Sequence, residues 1–169
     1  STVNGVTVGK GANSVATNTV LGVTALDANT TGNNNVAVGY VASTEITTGT
    51  KNVAVGQGAL QTTSTGHNNV AIGDLALQDN VTGSDNTAVG RRALTDNTTT
   101  ASTAFGADAL KANTTGQYNT AVGAYALQSN VTGQNNTAVG YIALRDNTGS
   151  HNTAVGEEAL KVNTTGASN

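Results

Sequence analysis

The chain has 169 residues, of which 37% are hydrophobic, 3% aromatic and 10% charged; its formal net charge is −3, and it contains no Trp, Met, Pro or Cys. That composition excludes a conventional core of large side chains, a disulfide framework, a thiolate metal site and the basic footprint of a nucleic-acid binder. No apolar run approaches the roughly 20 residues that a membrane-spanning helix needs.

The first 22 residues are irregular, with Val6 to Gly9 a weak copy of a pentapeptide that becomes clear at Asn18 to Gly22. From there a glycine closing Asn-[Thr/Val]-Ala-Val-Gly, or a close variant, recurs at Gly39, Gly56, Gly73, Gly90, Gly106, Gly123, Gly140 and Gly156, at spacings of 17, 17, 17, 16, 17, 17 and 16 residues. The full unit reads N-[TV]-A-V-G-x-x-A-L-x-x-N-T-T-G-x-x. It joins two short β-prone pieces by two turns, and segments such as Asn113 to Gly116 and Asn163 to Gly166 supply turn formers and a residue able to take positive φ. The period is too short for a helical hairpin, which needs about 33 residues, and the Gly, Thr and Asn content disfavours helix. The expected fold is all-β: a parallel β-solenoid, or β-roll, of about ten coils stacked about 4.8 Å apart into a rod near 45 to 50 Å long. Residues 1–169 form one repetitive domain, with irregular first coils over 1–22 and regular repeats over 23–169. It reads as a segment of a longer fibre whose uncapped ends favour end-to-end stacking.

Stacking turns each repeat position into a column. Asn35, Asn52, Asn69, Asn86, Asn119, Asn136 and Asn152, with Ser102 substituting once, form an amide column suited to axial hydrogen bonding. The columns Val38 to Val155 and Leu60 to Leu160 are expected to face inward. Along each strand Ala and Val point to opposite faces, and both are apolar in nearly every coil. Strands apolar on both faces are buried on both, so the Ala column is expected to meet a second chain and the protein to be a homo-oligomer.

The two positions after each glycine vary from coil to coil and are expected to form a solvent-facing recognition stripe: Tyr40, Gln57, Asp74, Arg91, Arg92, Asp108, Tyr125, Tyr141, Glu157 and Glu158. Within it Arg91 is expected near Asp74 and Arg92 near Asp108, as exposed pairs contributing roughly 0 to 1 kcal/mol. His67 and His151 read as exposed turn residues, and Asp79, Asp96 and Asp146 as solvated turn carboxylates rather than a cation ladder. Neither a converging catalytic set nor a metal or cofactor motif is present, so the chain reads as non-enzymatic.

The Asn-x-Ala-Val-Gly pentapeptide, clearest at Asn119 to Gly123 and Asn136 to Gly140, resembles the head repeats of trimeric autotransporter adhesins of the YadA-like type. With the Ala-Leu and Asn-Thr-Thr-Gly segments that follow, it looks equally like repeats of phage tail fibres carrying an endosialidase-type chaperone domain. The resemblance covers almost the whole chain, although these units are longer than those of the autotransporter heads. It implies a left-handed β-roll, three chains side by side, an extracellular location at a cell surface or virion tail, and attachment to a host receptor, a glycan among the candidates. The expected role is thus a rigid spacer or adhesive surface of a trimeric fibre. The alternatives are a self-assembling filament subunit and an ice-binding solenoid using the Thr column at 87, 103, 120, 137 and 153, which Val replaces at 36, 53 and 70.

Overall fold

A computed structural model describes residues 2–3, 6–164 and 166–169; Ser1, Asn4, Gly5 and Thr165, the last within the Asn163 to Gly166 turn, lie outside the described residues. The first elements are β1 (Thr2–Val3), β2 (Val6–Gly9), a short 3-10 turn (Ala12–Ser14) and β3 (Thr19–Leu21). Then come β4 (Val36–Val38), β5 (Val53–Val55), β6 (Val70–Ile72), β7 (Thr87–Val89), β8 (Thr103–Phe105), β9 (Thr120–Val122) and β10 (Thr137–Val139). Towards the C-terminus lie β11 (Asp146–Asn147), β12 (Thr153–Val155) and β13 (Val162–Asn163). The strands β3 to β10 and β12 stack in parallel, each residue opposite its counterpart one repeat away, as in Ala121 beside Ala138. The chain is therefore the parallel β-solenoid its period predicts, with nine parallel strands rather than about ten coils. At about 4.8 Å per step the stack is roughly 40 Å long.

The missing coil is at the start. Val6–Gly9 is a strand, but it pairs antiparallel with both β1 and β3. The first edge of the parallel stack is thus covered by a hairpin, where the repeat pattern predicts an open end. Both 16-residue spacings have one cause: a residue is lost from the Asn-x-x-Gly turn, between Asn97 and Ser102 and between Asn147 and Asn152. Strand register is unaffected, with Thr87 opposite Thr103 and Thr137 opposite Thr153.

The facing of the strands reverses one expectation. Ala37, Ala54, Ala71, Ala88, Ala104, Ala121 and Ala138 are fully buried, whereas the Val column points outward, with Ile72 41% and Phe105 43% exposed. The interior is thin. It is filled by the strand Ala column, a second Ala column (Ala42, Ala59, Ala76 and their equivalents) and the Leu column, which is buried as expected from Leu26 to Leu144. With Leu reaching in from the opposite side, only a methyl group fits beneath the strand, and the larger Val must take the outer face. Leu160, at the last coil, is 43% exposed.

Backbone conformation also departs from the glycine-turn reading. In most coils three non-glycine residues turn corners at positive φ, with Gly58 taking one such corner, and every Leu of the inner column is among them, as in Leu77 at φ 51 and Leu127 at φ 50. A left-handed Leu is disfavoured by about 1 to 2 kcal/mol, a cost offset here by complete burial of its side chain. Gly73 combines φ 134 with close approach, since a Cβ there would lie 2.6 Å from the carbonyl oxygen of Gly90. The glycines of the second turn of each coil are needed for room alone. At Gly49, which closes the Ile46-Thr-Thr-Gly variant of that turn, the φ is ordinary, but a Cβ would meet the Gly66 carbonyl oxygen at 2.6 Å.

The amide column is fully buried and ties coil to coil. Each Asn Oδ1 accepts the backbone N–H of the Asn one coil on, at 2.9 Å for both Asn35 to Asn52 and Asn52 to Asn69. The Nδ2 donates to a turn carbonyl, as Asn52 does to Gly66 at 2.8 Å and Asn86 to Thr99 at 2.7 Å. A second amide column, legible in sequence only as turn residues, runs beside it: Asn113 donates to Asn97 (2.7 Å), Asn130 to Asn113 (3.3 Å), Asn147 to Asn130 (3.0 Å) and Asn163 to Asn147 (3.0 Å). Ile46 and Thr63 interrupt this column, and the amide of Asn29, Thr63 Oγ1 and Asn80 Oδ1 are left buried without partners. Beside Ile46, Ser43 takes the place of the inner Leu, so that a large apolar group and a small polar one exchange places within a single coil.

Ser102 offers no amide acceptor to Asn119, and its own Oγ is buried without a partner. Ser102→Asn should therefore raise stability by about 1 kcal/mol, whereas Asn69→Ala, which orphans the Asn86 N–H and removes one of the two amide donors to the Gly83 carbonyl, should cost about 2 to 3 kcal/mol. Urea denaturation midpoints at constant m-value read both changes.

Candidate recognition surface

The variable stripe divides into two columns with different environments. Tyr40, Gln57, Asp74, Arg91, Tyr141 and Glu157, at the first position after the glycine, are exposed. At the second position Arg92 and Tyr125 are half-buried and Asp108 is fully buried; Glu158, on the last coil, is exposed. Asp108 is therefore not a solvent-facing residue. The second position turns the corner in the left-handed conformation, at φ 55 for Arg92 and φ 56 for Asp108, and lays its side chain back against the neighbouring coils.

Burial of Asp108 organises the charged part of the stripe. Arg91 Nη2 lies 3.0 Å from Asp108 Oδ2, and Arg92 Nε lies 2.8 Å from Oδ1 as a close ionic contact. Arg92 Nη2 donates to Oδ2 at 3.1 Å. Arg91 thus turns to Asp108 in the next coil, not to Asp74 as the column order suggests. One sunken carboxylate holds two guanidinium groups, and the cluster keeps a net positive charge.

Aromatic residues build the other feature. The rings of Tyr125 and Tyr141 meet edge to face, with centroids 6.0 Å apart and planes at 79°. Together with Gln128, Ile142 and Arg145 they line a recess of about 270 Å³. Its walls come from two successive coils, Tyr125 and Gln128 from one and Tyr141, Ile142 and Arg145 from the next. Arg145 is held from behind: its Nε lies 3.0 Å from Asp146 Oδ1 and its Nη2 2.6 Å from Oδ2, while Ser129 Oγ donates to Oδ1 at 3.2 Å. The hydrogen bond from Arg145 is the main influence keeping the Asp146 carboxyl below the usual carboxylate range, and it likewise raises Arg145.

Other polar residues do not converge. His67 Nδ1 accepts the Thr50 N–H at 3.1 Å, and His151 sits beside Asn135; both imidazoles are exposed. Partial burial, and then the neighbouring Asp79, push the Asp96 carboxyl above its ordinary range, with Lys111 opposing. Among the described residues no group of three or more His, Cys, Asp or Glu gathers as a metal site, and no helix is long and apolar enough to cross a membrane. Comparison with protein-family models, with curated proteins and with solved structures finds no match to this chain.

Sequence reasoning found the stripe but not its relief, because column order says which residues stack and not which corner side chains fold inward. Asp108→Asn keeps the shape of the side chain and removes its charge. It should cost about 1 to 2 kcal/mol, below the value for a fully buried pair because both arginines remain partly solvated, and thermal denaturation alongside Arg91→Ala and Arg92→Ala measures the coupling.

Proposed function

We propose that the chain is a structural fibre module of an extracellular surface, a rigid spacer that associates with two further copies of itself and presents its variable stripe to a host or cell-surface receptor. One observation carries this reading. The strands are apolar on both sides: the Ala column fills the interior, and the outer face exposes Leu21, Ile72, Phe105, Val122, Val139 and Val155 in one continuous column. A contiguous exposed apolar strip along a rod is a surface for association, and coils in register let identical strips meet along their whole length. The partner face is thus assigned to Val and not to Ala. The repeat resemblance to trimeric adhesin heads and tail fibres supports three chains and an adhesive role.

The test is the mass of the full chain in native solution. Three copies are expected, falling to one in Val122→Lys/Val139→Lys while the β-rich circular dichroism is retained, since both side chains point away from the interior. A wild-type monomer at micromolar concentration would overturn the assignment.

A second reading, ice binding, is favoured by the outward-facing Thr run of Thr87, Thr103, Thr120, Thr137 and Thr153 beside the Val column. The two readings use the same face. Inhibition of ice recrystallisation by the wild type, abolished in Thr120→Lys, would support it; inactivity of the wild type removes it.

A further inference from the structure

We propose that the recess between Tyr125 and Tyr141 is a subsite for one neutral pyranose ring of a glycan, a reading that rests on the stripe being a recognition surface and names the ligand of one part of it. The walls are two phenol rings at a steep mutual angle, with Tyr141 47% exposed, so an aromatic face is available for the C–H groups of a sugar. The rim carries hydrogen-bonding capacity that the protein does not use internally. No side-chain hydrogen bond engages either phenol oxygen or the Gln128 amide, and the Arg145 Nη1 hydrogens remain free because Asp146 occupies Nε and Nη2.

Charge selects the ligand class. Arg145 and Asp146 form a tight pair with no net charge, so the recess offers donors without demanding an anion. The positive Arg91, Arg92 and Asp108 cluster begins one coil away at Asp108, with its two arginines two to three coils from the recess along the stack, and it would draw an acidic ligand to itself instead. The volume, about 270 Å³, suits a single ring entering from an open side and not a buried metabolite. An apolar floor from Ile142, aromatic walls and a rim of uncharged or neutralised donors and acceptors match a hydroxyl-rich ring with one apolar face. A peptide side chain would leave most of that rim unpaired.

The repeat supplies its own controls. Ala already occupies the Tyr141 column at 107 and 124, and Leu occupies the Tyr125 column at 75 with the same left-handed backbone. Tyr141→Ala and Tyr125→Leu should therefore leave the fold intact. Saturation-transfer difference NMR on the full chain, with the neutral methyl glycosides of glucose, galactose, mannose and N-acetylglucosamine and with methyl sialoside as the anionic arm, tests the assignment. The expected result is transfer to the ring C–H protons of at least one neutral glycoside, lost in Tyr141→Ala and reduced at least tenfold in Tyr125→Leu, with circular dichroism and native mass unchanged. The assignment is overturned by no transfer from any neutral glycoside, by transfer from the sialoside alone, or by transfer that survives Tyr141→Ala. It is overturned equally if Tyr141→Ala changes the native mass, which would make the recess a contact between copies. The fibre reading stands or falls separately, on the mass of the wild type.

Discussion

Everything in this rod depends on one constraint: a polar group buried between two coils must find its partner one repeat away. The strands meet it through their parallel ladder and the turns through two columns of asparagine. An amide side chain is suited to the task because it carries an acceptor and two donors at once. In the first column Oδ1 takes the next coil's N–H and Nδ2 serves a turn carbonyl; in the second, amide follows amide from Asn97 to Asn163. The thin Ala and Leu interior does not supply the burial of an ordinary core, so satisfaction of most buried polar groups from coil to coil is what makes the repeat foldable.

The same constraint explains why glycine recurs at two places for different reasons. Beside the strand, Gly73 needs both a positive φ and backbone-to-backbone closeness. In the second turn, Gly49 needs only closeness, because the Asn52 amide and the next coil's carbonyl occupy the space a methyl group would fill. The corners that do require left-handed backbone are held largely by Leu, Asp, Asn, Tyr and Arg, which the stack forces into a conformation that local preference would not choose.

Architecture was legible in the sequence because period, not composition, determines a solenoid. The spacing of Gly39 to Gly156 gives the parallel register residue by residue, and the Leu column declares itself inward. Which strand face points inward was not legible. Alternation requires Ala121 and Val122 to oppose each other but is silent about which is inside; that depends on how close the opposite wall comes, a distance set by Leu and by the second Ala column. The second asparagine column was hidden for a related reason, since Asn-Thr-Thr-Gly reads as turn chemistry whether or not its first residue is buried. At the stripe, membership was legible and depth was not: Asp108 and Glu158 occupy equivalent columns, yet one is enclosed between coils and the other stands at the last coil.

The interruption of the second amide column at Ile46 and Thr63 has a mechanical meaning. Hydrogen bonds between coils run along the axis of the rod, so a force pulling on its ends loads the bonds of every junction in series and those within one junction in parallel. Strength under tension is then that of the junction with the fewest bonds, not an average over the stack. Between Asn29 and Asn80, where Ile46 and Thr63 replace the linking amides and neighbouring polar atoms lack partners, the junctions rely on the backbone bonds of the turns, as Thr47, Thr48 and Gly49 all donate to the Ser64 carbonyl. The amide column from Asn97 to Asn163 adds a side-chain link to each junction it crosses, including those that carry Tyr125 and Tyr141.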